Sequence, residues 1–355
     1  MGSFVSDKLL KLAAYDPKIN PCGIHLDANE SFIELPDDLK NEIALKVAAI
    51  SYNRYPDPLA QGVCAAFGKR YGIDARFITA GNGSDELISI IINAFTQRGD
   101  RVLITEPDFS MYKIYCSIAE VDPVILGKQG DLSFIADDMI NLANREDVRL
   151  IIFSNPCNPT GQGISAKDAL KIADNANCLV VIDEAYMDFW NQSVLADVTK
   201  RGNLIVLKTC SKIGFAAARL GFAVANDELT GYLRAAKSPY NVNTLTQAAG
   251  EVLLSDKNYL KSAIDQIINK RDSLYSSLVM LEASYSDVIK VYKTHANFVT
   301  VQVKHAKDLH QKLMAHGISV RLVADRYFRV TAGLASENEA FIKAFDQILY
   351  EVTCK

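Results

Sequence analysis

Residues 178–186 read CLVVIDEAY. Four apolar residues in a row, Leu179 to Ile182, run straight into two acids and a phenol. A run that is apolar at every position, not every second one, describes a strand buried on both faces. That is the habit of a parallel sheet covered by helices on both sides. The same pattern lies upstream in LIIFSNP (150–156) and RVLITEP (101–107), and downstream in NLIVLKTCSK (203–212) and LGFAVAN (220–226). Helix-like stretches such as DELISIIINAF (85–95) and SAKDALKIADNA (165–176) fall between them. Strand alternating with helix predicts an open α/β domain with a large, mostly parallel sheet.

The pattern changes near Thr244. One long helical region is expected to about Leu281, followed by a strand in ANFVTVQV (296–303), a helix in KDLHQKLMAHG, a strand pair in ISVRLV and YFRVTA, and a final helix in ENEAFIKAFDQILYEV. This predicts a smaller α+β domain. The division expected is 1–35 as an N-terminal arm and part of the small domain, 36–245 as the large domain, and 246–355 as the small one. At roughly 100–200 residues per domain, 355 residues suit two.

Composition excludes several classes of function. Lys plus Arg is 38 against 42 Asp plus Glu, a net charge of -4. With no basic surplus, neither nucleic acid nor an anionic membrane surface is expected as a partner. No stretch approaches the roughly 20 apolar residues of a spanning helix. The N-terminal MGSFVSDKLLKLAAYDP is amphipathic and lacks the features of a signal peptide. The seven cysteines are scattered with no CxxC pair, which suits reduced thiols in the cytoplasm.

In an open α/β sheet, ligands bind beyond the carboxyl ends of the strands. The residues just after each strand are therefore informative. LIIF leads to SNPCNPTGQG, CLVVI to DEAY, and NLIVL to KTCSK with Arg219 beyond. Each residue also has an ordinary reading. Asp183 suits a salt bridge or helix cap, or a carboxylate holding a heterocyclic nitrogen protonated. Lys212 suits a solvated amine or an amine nucleophile. Asn158 suits a turn, and Tyr186 a core phenol. Upstream, TAGNGSDELI (79–88) places two glycines before a helix start. It suits an N-cap by Ser84 or Asp85, or an anion site of free backbone N–H groups. No GxGxxG or Walker loop occurs. With no HExxH and no histidine in the cluster, no catalytic metal is expected.

Taken in order, GNGSDE, NPCNPTG, DEAY, SK…R and FRVTAG resemble the fold-type-I pyridoxal-phosphate aminotransferases. LDANES (26–31), RYPDP (54–58), SPYNVN (238–243), HANF (295–298) and GLASENEAF resemble the histidinol-phosphate subgroup. The resemblance spans nearly the whole chain. It implies pyridoxal 5'-phosphate as cofactor, with Lys212 as the amine that condenses with its aldehyde. Asp183 would face the pyridine nitrogen, and Asn158 and Tyr186 the phenolate oxygen. Phe109 would stack on the ring. Backbone at Gly83, Ser84 and Asp85 would hold the phosphate, with the Arg219 guanidinium and the Ser211 hydroxyl as further donors and Thr209 as a second hydroxyl candidate. Tyr55 would reach the neighbouring subunit's phosphate, which implies a homodimer with shared sites. Arg329 would take the substrate's anionic end, Arg321 a substrate phosphate, and Asn29 and Glu30 would belong to an arm closing over the site.

The implied reaction is transamination in two halves, from an amino donor such as histidinol phosphate to a 2-oxo acid, 2-oxoglutarate. Relatives on this scaffold decarboxylate threonine phosphate or transaminate aromatic amino acids. A non-catalytic ligand-binding relative is the alternative from another class. One departure stands out. Seven positions separate Lys212 from Arg219, one fewer than is usual in the family. Either the turn is tighter, or Arg219 approaches from a shifted position. Cys157 and Cys210 read as incidental small apolar residues.

Overall fold

The computed structural model describes residues 4–10, 12 and 22–353. Most of the N-terminal stretch read for a signal peptide, and Cys354, lie outside them. Twelve strands form two sheets among the described residues. In chain order they are β1 (Ile24–Leu26), β2 (Ile78–Asn82), β3 (Arg101–Glu106), β4 (Asp122–Gly127), β5 (Leu150–Ser154), β6 (Leu179–Asp183), β7 (Leu204–Thr209), β8 (Leu220–Val224), β9 (Ile289–Tyr292), β10 (Phe298–Val303), β11 (Ile318–Val323) and β12 (Tyr327–Thr331).

The larger sheet runs β2-β8-β7-β6-β5-β3-β4. Its central strands alternate between two cores. Ile151, Phe153, Val180, Ile182 and Val206 enter one, and Leu150, Ile152, Val181, Ile205 and Leu207 the other. Burial on both sides is what the continuous apolar runs require. LGFAVAN departs from the parallel expectation. Its strand, β8, runs antiparallel to both β2 and β7. Residues just before β8 therefore share the edge with residues just after β5, β6 and β7. Arg219, which precedes Leu220, reaches the site this way.

The smaller sheet runs β1-β11-β12-β10-β9. On β12, Phe328 and Val330 face its apolar core. The intervening Arg329 and Thr331 point the other way, towards the larger sheet. The helical region after Thr244 is two helices, Thr244–Ser255 and Lys257–Ser284, not one. Asp256 breaks it: its backbone leaves the helical region, and its carboxylate accepts from the Tyr259 N–H at 2.8 Å.

Beneath the turn after β6 lies a buried ionic knot. Lys208 Nζ on β7 sits 2.8 Å from Asp188, with both side chains less than a tenth exposed. The Tyr71 hydroxyl also donates to Asp188 at 2.8 Å. Glu184 is fully buried and accepts from the Val194 N–H and the Ser193 hydroxyl. These bonds pin the DEAY turn to the sheet. Lys208→Met strands the Asp188 carboxylate in the interior, so stability falls by about 3–5 kcal/mol, the usual effect of removing one partner of a buried pair. Equilibrium denaturant unfolding checks it, and an unchanged midpoint would show that the pair carries no such weight.

Candidate active site

Asp183 ends β6 at 3% exposure. One carboxylate oxygen accepts from the Ala185 N–H at 3.0 Å and the other from the Tyr112 hydroxyl at 2.9 Å. Among the described residues no cation pairs with it. Burial accordingly pushes its pKa up to about 7, with Tyr112 and the Ala185 N–H pulling it down and Asp108 and Asp85 adding to the rise. The salt-bridge reading of Asp183 is not what forms. A buried acid without a cation suits a ligand that brings its own protonated nitrogen.

Tyr112 is a site residue that the sequence reading missed. It is fully buried, and Phe109 meets it edge to face at 5.5 Å and 85°. Phe109 lies just before the helix Met111–Ala119, three positions ahead of Tyr112, and the Tyr112 N–H donates to its carbonyl at 3.1 Å. That spacing within PDFSMY was the available signal. Asp108 braces the same loop, accepting from the hydroxyls of Thr105 and Ser154 and from the Phe109 N–H.

The helix Gly83–Phe95 begins directly after β2, and its N-cap residue Asn82 makes no side-chain cap bond. Ser84 and Asp85 lie inside the helix, so neither is the N-cap. The first backbone N–H groups therefore have no side-chain cap from Asn82, a condition that suits an anion. Gly83 has φ +82°, and a Cβ there would stand 2.8 Å from the Arg219 guanidinium. Gly221 is equally constrained, since its Cβ would lie 2.4 Å from the Ser84 nitrogen. Arg219 donates to Asp85 at 3.2 Å and to the Ser211 hydroxyl at 3.4 Å, and Thr209 donates to Ser211 at 3.0 Å.

The short spacing before Arg219 is resolved by a tighter turn. Single 3-10 turns at Ser211–Ile213 and Ala216–Ala218 compact the segment, with Gly214 and Arg219 both left-handed. The guanidinium still arrives over Gly83. Lys212 Nζ stands 5.8 Å above the Tyr186 ring and forms no hydrogen bond or ion pair among the described residues.

Asn29, in the segment read as an arm over the site, is 1% exposed, and Glu30 beside it is exposed. The Asn29 backbone N–H donates to the Thr331 hydroxyl, which donates back to its Oδ1. That leaves Nδ2 to donate to the Tyr186 hydroxyl at 2.9 Å. Tyr186 Oη is thus an acceptor towards Asn29 and keeps its own proton for another partner. Asn158 is similarly directed: its Oδ1 accepts from Arg329 at 2.7 Å, which frees Nδ2 as a donor. Arg329 also donates to the Asp27 carbonyl. Arg321 is exposed and lies directly opposite Arg329 in the β11–β12 register, so the two side chains share a face. Tyr55 is 81% exposed and stacks on Tyr240 at 4.7 Å; it is not gathered into the cluster.

The arrangement fits pyridoxal phosphate. It offers an anion nest roofed by a guanidinium, a buried acid awaiting a protonated nitrogen, two directed donors and an unengaged amine. Among the described residues no group of three or more His, Cys, Asp or Glu is placed to hold a metal. No described helix is long and apolar enough to cross a membrane.

Residues 22–345 match the model of the class I and II aminotransferases, and the chain belongs to that family. Within it, the chain is 40% identical over 329 residues to a histidinol-phosphate aminotransferase of Clostridium novyi, covering 91% of each. It is 36% identical to the enzyme of that name from Caldanaerobacter subterraneus, covering 94% of this chain and 95% of the relative. The solved histidinol-phosphate aminotransferase of Sinorhizobium meliloti, in complex with pyridoxal-5'-phosphate, has the same fold, with a TM-score of 0.89 at 21% identity and 99% of both chains covered.

The raised pKa of Asp183 couples stability to pH. The folded chain binds this proton more tightly than the unfolded chain, whose aspartate titrates near 3.8. Stability from this group is present below that value and is lost as pH rises through about 7. Without cofactor, Asp183→Asn is therefore expected to melt higher than the parent at pH 8, with the gap closing towards pH 4. With pyridoxal phosphate bound, the parent should gain more than the variant. Melting curves at the two pH values, with and without cofactor, check both signs.

Proposed function

We propose that this chain is a pyridoxal-phosphate-dependent aminotransferase acting on histidinol phosphate, with 2-oxoglutarate as acceptor. The observation that carries the reading is the buried, cation-free Asp183 beside an uncapped helix N-terminus and the unengaged Lys212. The curated relatives' shared name brings the donor.

When bound, the cofactor's protonated ring supplies an electron sink for the pair left behind when a proton departs the substrate Cα. Asp183 would hold the proton on the ring nitrogen, and its lack of any other cation keeps the carboxylate available for that role. Tyr186 and Asn158 would donate to the phenolate oxygen with the protons that Asn29 and Arg329 leave them. The first N–H groups of the helix at Gly83, with Ser211 and Arg219, would bind the phosphate, and Phe109 would cover the ring. Lys212 would take the proton from the substrate Cα, because its amine is the base tethered there. Arg329 and Arg321 bind the donor's phosphate, and Arg329 also binds the acceptor's carboxylate. A doubly charged phosphate suits two guanidinium forks on one face.

Tyr55 and Tyr240 are exposed as a stacked pair. We read this as the contact through which Tyr55 reaches a partner subunit's phosphate in a cytoplasmic homodimer. The units proposed remain 1–35, 36–245 and 246–355.

Lys212→Ala is expected to lower turnover by about 1000-fold or more, since general-base and nucleophilic roles are lost together. Near-normal turnover would remove Lys212 from the mechanism. Arg321→Ala is expected to raise the KM for histidinol phosphate about 10–100-fold, the worth of a charged hydrogen bond, with a much smaller change for 2-oxoglutarate. Equal effects on both would assign Arg321 to general attraction. The donor itself is tested by adding histidinol phosphate without acceptor and following the visible absorption of the cofactor-loaded protein. An unmoved spectrum would reject that donor, and carbon dioxide released from threonine phosphate would replace it with the decarboxylation chemistry.

A further inference from the structure

Tyr112 lies on the buried face of the helix Met111–Ala119, beside Cys116. Its ring belongs to an apolar core with Leu87, Ile91, Ile104 and Ile152. A phenylalanine would fill that core equally well, and a buried hydroxyl is costly unless it is hydrogen-bonded. The hydroxyl donates to the Asp183 carboxylate at 2.9 Å. The edge-to-face contact with Phe109 and the backbone bond to its carbonyl hold the ring so that it points there. The packing explains the ring, and Asp183 explains the oxygen.

We propose that Tyr112 is a positioning residue for the transamination: its hydrogen bond keeps the proton shared by Asp183 and the cofactor on the ring nitrogen. This rests on the proposed place of Asp183 against that nitrogen. A carboxylate and a pyridine nitrogen compete for one proton. Each hydrogen bond that the carboxylate accepts favours its charged form and weakens its hold on that proton. Without the phenol, the balance moves to the acid and the proton crosses to it. The ring nitrogen is then neutral, and the ring accepts an electron pair poorly. One N–H bond breaks, one O–H bond forms, and the pair keeps its single proton.

The other groups around Asp183 make such a donor necessary. Burial favours its protonated form. Asp108, in the loop before Tyr112, and Asp85, in the first turn of the helix Gly83–Phe95, add to that. The Arg219 guanidinium is engaged with Asp85 at 3.2 Å. Two donors oppose the rise, Tyr112 first and the Ala185 N–H second. The N–H belongs to the backbone of the turn, so Tyr112 is the side chain that carries the adjustment. The phenol itself stays neutral, because burial, Asp183 and Asp108 push its pKa well above the ordinary value. It donates to the carboxylate without giving up its proton.

The test compares the parent with Tyr112→Phe, which keeps the ring and removes the hydroxyl. Both are loaded with pyridoxal phosphate isotopically labelled at its ring nitrogen, and the nitrogen chemical shift is read by NMR at neutral pH. The parent should show a protonated nitrogen, and the variant a shift displaced towards the unprotonated value. Turnover of the variant should fall about 10–100-fold, the worth of a hydrogen bond to a charged group, with little change in either KM. In an Asp183→Asn background the same substitution should leave the nitrogen shift unmoved, since the hydroxyl acts through the carboxylate. A cofactor-free measurement reads the bond without the ring. Measured against the matching Asp183→Asn chain, the parent loses stability until the pH passes about 7. Tyr112→Phe should go on losing it above that pH, because its buried acid ionises later. A protonated nitrogen in both parent and Tyr112→Phe would overturn the proposal and leave the place of Asp183 standing. An unprotonated nitrogen in the parent would overturn the reading of Asp183, and the proposal with it. A loss of stability equal at every pH would reduce the hydroxyl to packing alone.

Discussion

A carboxylate placed in the interior without a cation is the constraint on which the rest of this site turns. Desolvating an ionised acid costs several kcal/mol even after relaxation. Asp183 meets that cost with one phenol, one backbone N–H and a pKa near 7. Nothing in the local chain requires such a group. An apolar residue at the end of β6 would suit the fold better. The surrounding structure holds it nonetheless. Tyr112 is fully buried to serve it, and the Lys208–Asp188 pair and the Glu184 bonds pin the turn just beyond it. A protonated ring nitrogen would resolve this local instability, and cofactor affinity and folded stability would then be linked through one proton.

Legibility in the sequence followed burial. β3, β5, β6, β7 and β8 are interior strands, covered on both faces, and each stands out as an unbroken apolar run. The strands not anticipated are β1, β2, β4 and β9, and each is an edge of its sheet. β4 carries Pro123, tolerable where one side has no pairing partner, and exposes alternate residues. β2 contains Thr79, Gly81 and Asn82 and has no apolar run to read. Edge strands need less apolar surface, so pattern alone does not separate them from loops.

The site divides in a similar way. Groups delivered directly by strand ends, namely Asp183, Lys212, Asn158 and the Gly83 helix start, were visible as local motifs. The contacts that join distant groups were not. Asn29 bonds Tyr186 across 157 positions, and Tyr112 bonds Asp183 across 71. Neither spacing leaves a mark on the chain. The short segment between Lys212 and Arg219 was visible as a length, but its resolution was not. A left-handed φ of 51° at Arg219 carries a local cost of about 1–3 kcal/mol for a residue with a side chain. Bonds to Ser211 and Asp85 hold the guanidinium in place against it. The Asp85 pair is partly exposed, and such pairs are worth little in water. An arriving phosphate can therefore take Arg219 from Asp85 at small cost.

The two arginines of the smaller sheet are held under a comparable tension. Arg321 and Arg329 are directly cross-strand, and like charges so placed repel. Thr300, the other cross-strand neighbour of Arg329, offers no charge. Among the described residues Arg321 forms no ion pair, and Arg329 donates to Asn158 and to the Asp27 carbonyl. Two guanidinium groups on one face suit an anion that spans them. A divalent phosphate satisfies both forks, whereas a single carboxylate occupies one. The paired arginines thus support the proposed phosphorylated donor over an aromatic amino acid of single charge. Because β12 also holds Asn158 through Arg329 and Asn29 through Thr331, the strand that would bind the donor's phosphate is also the one that aims the donors at the cofactor.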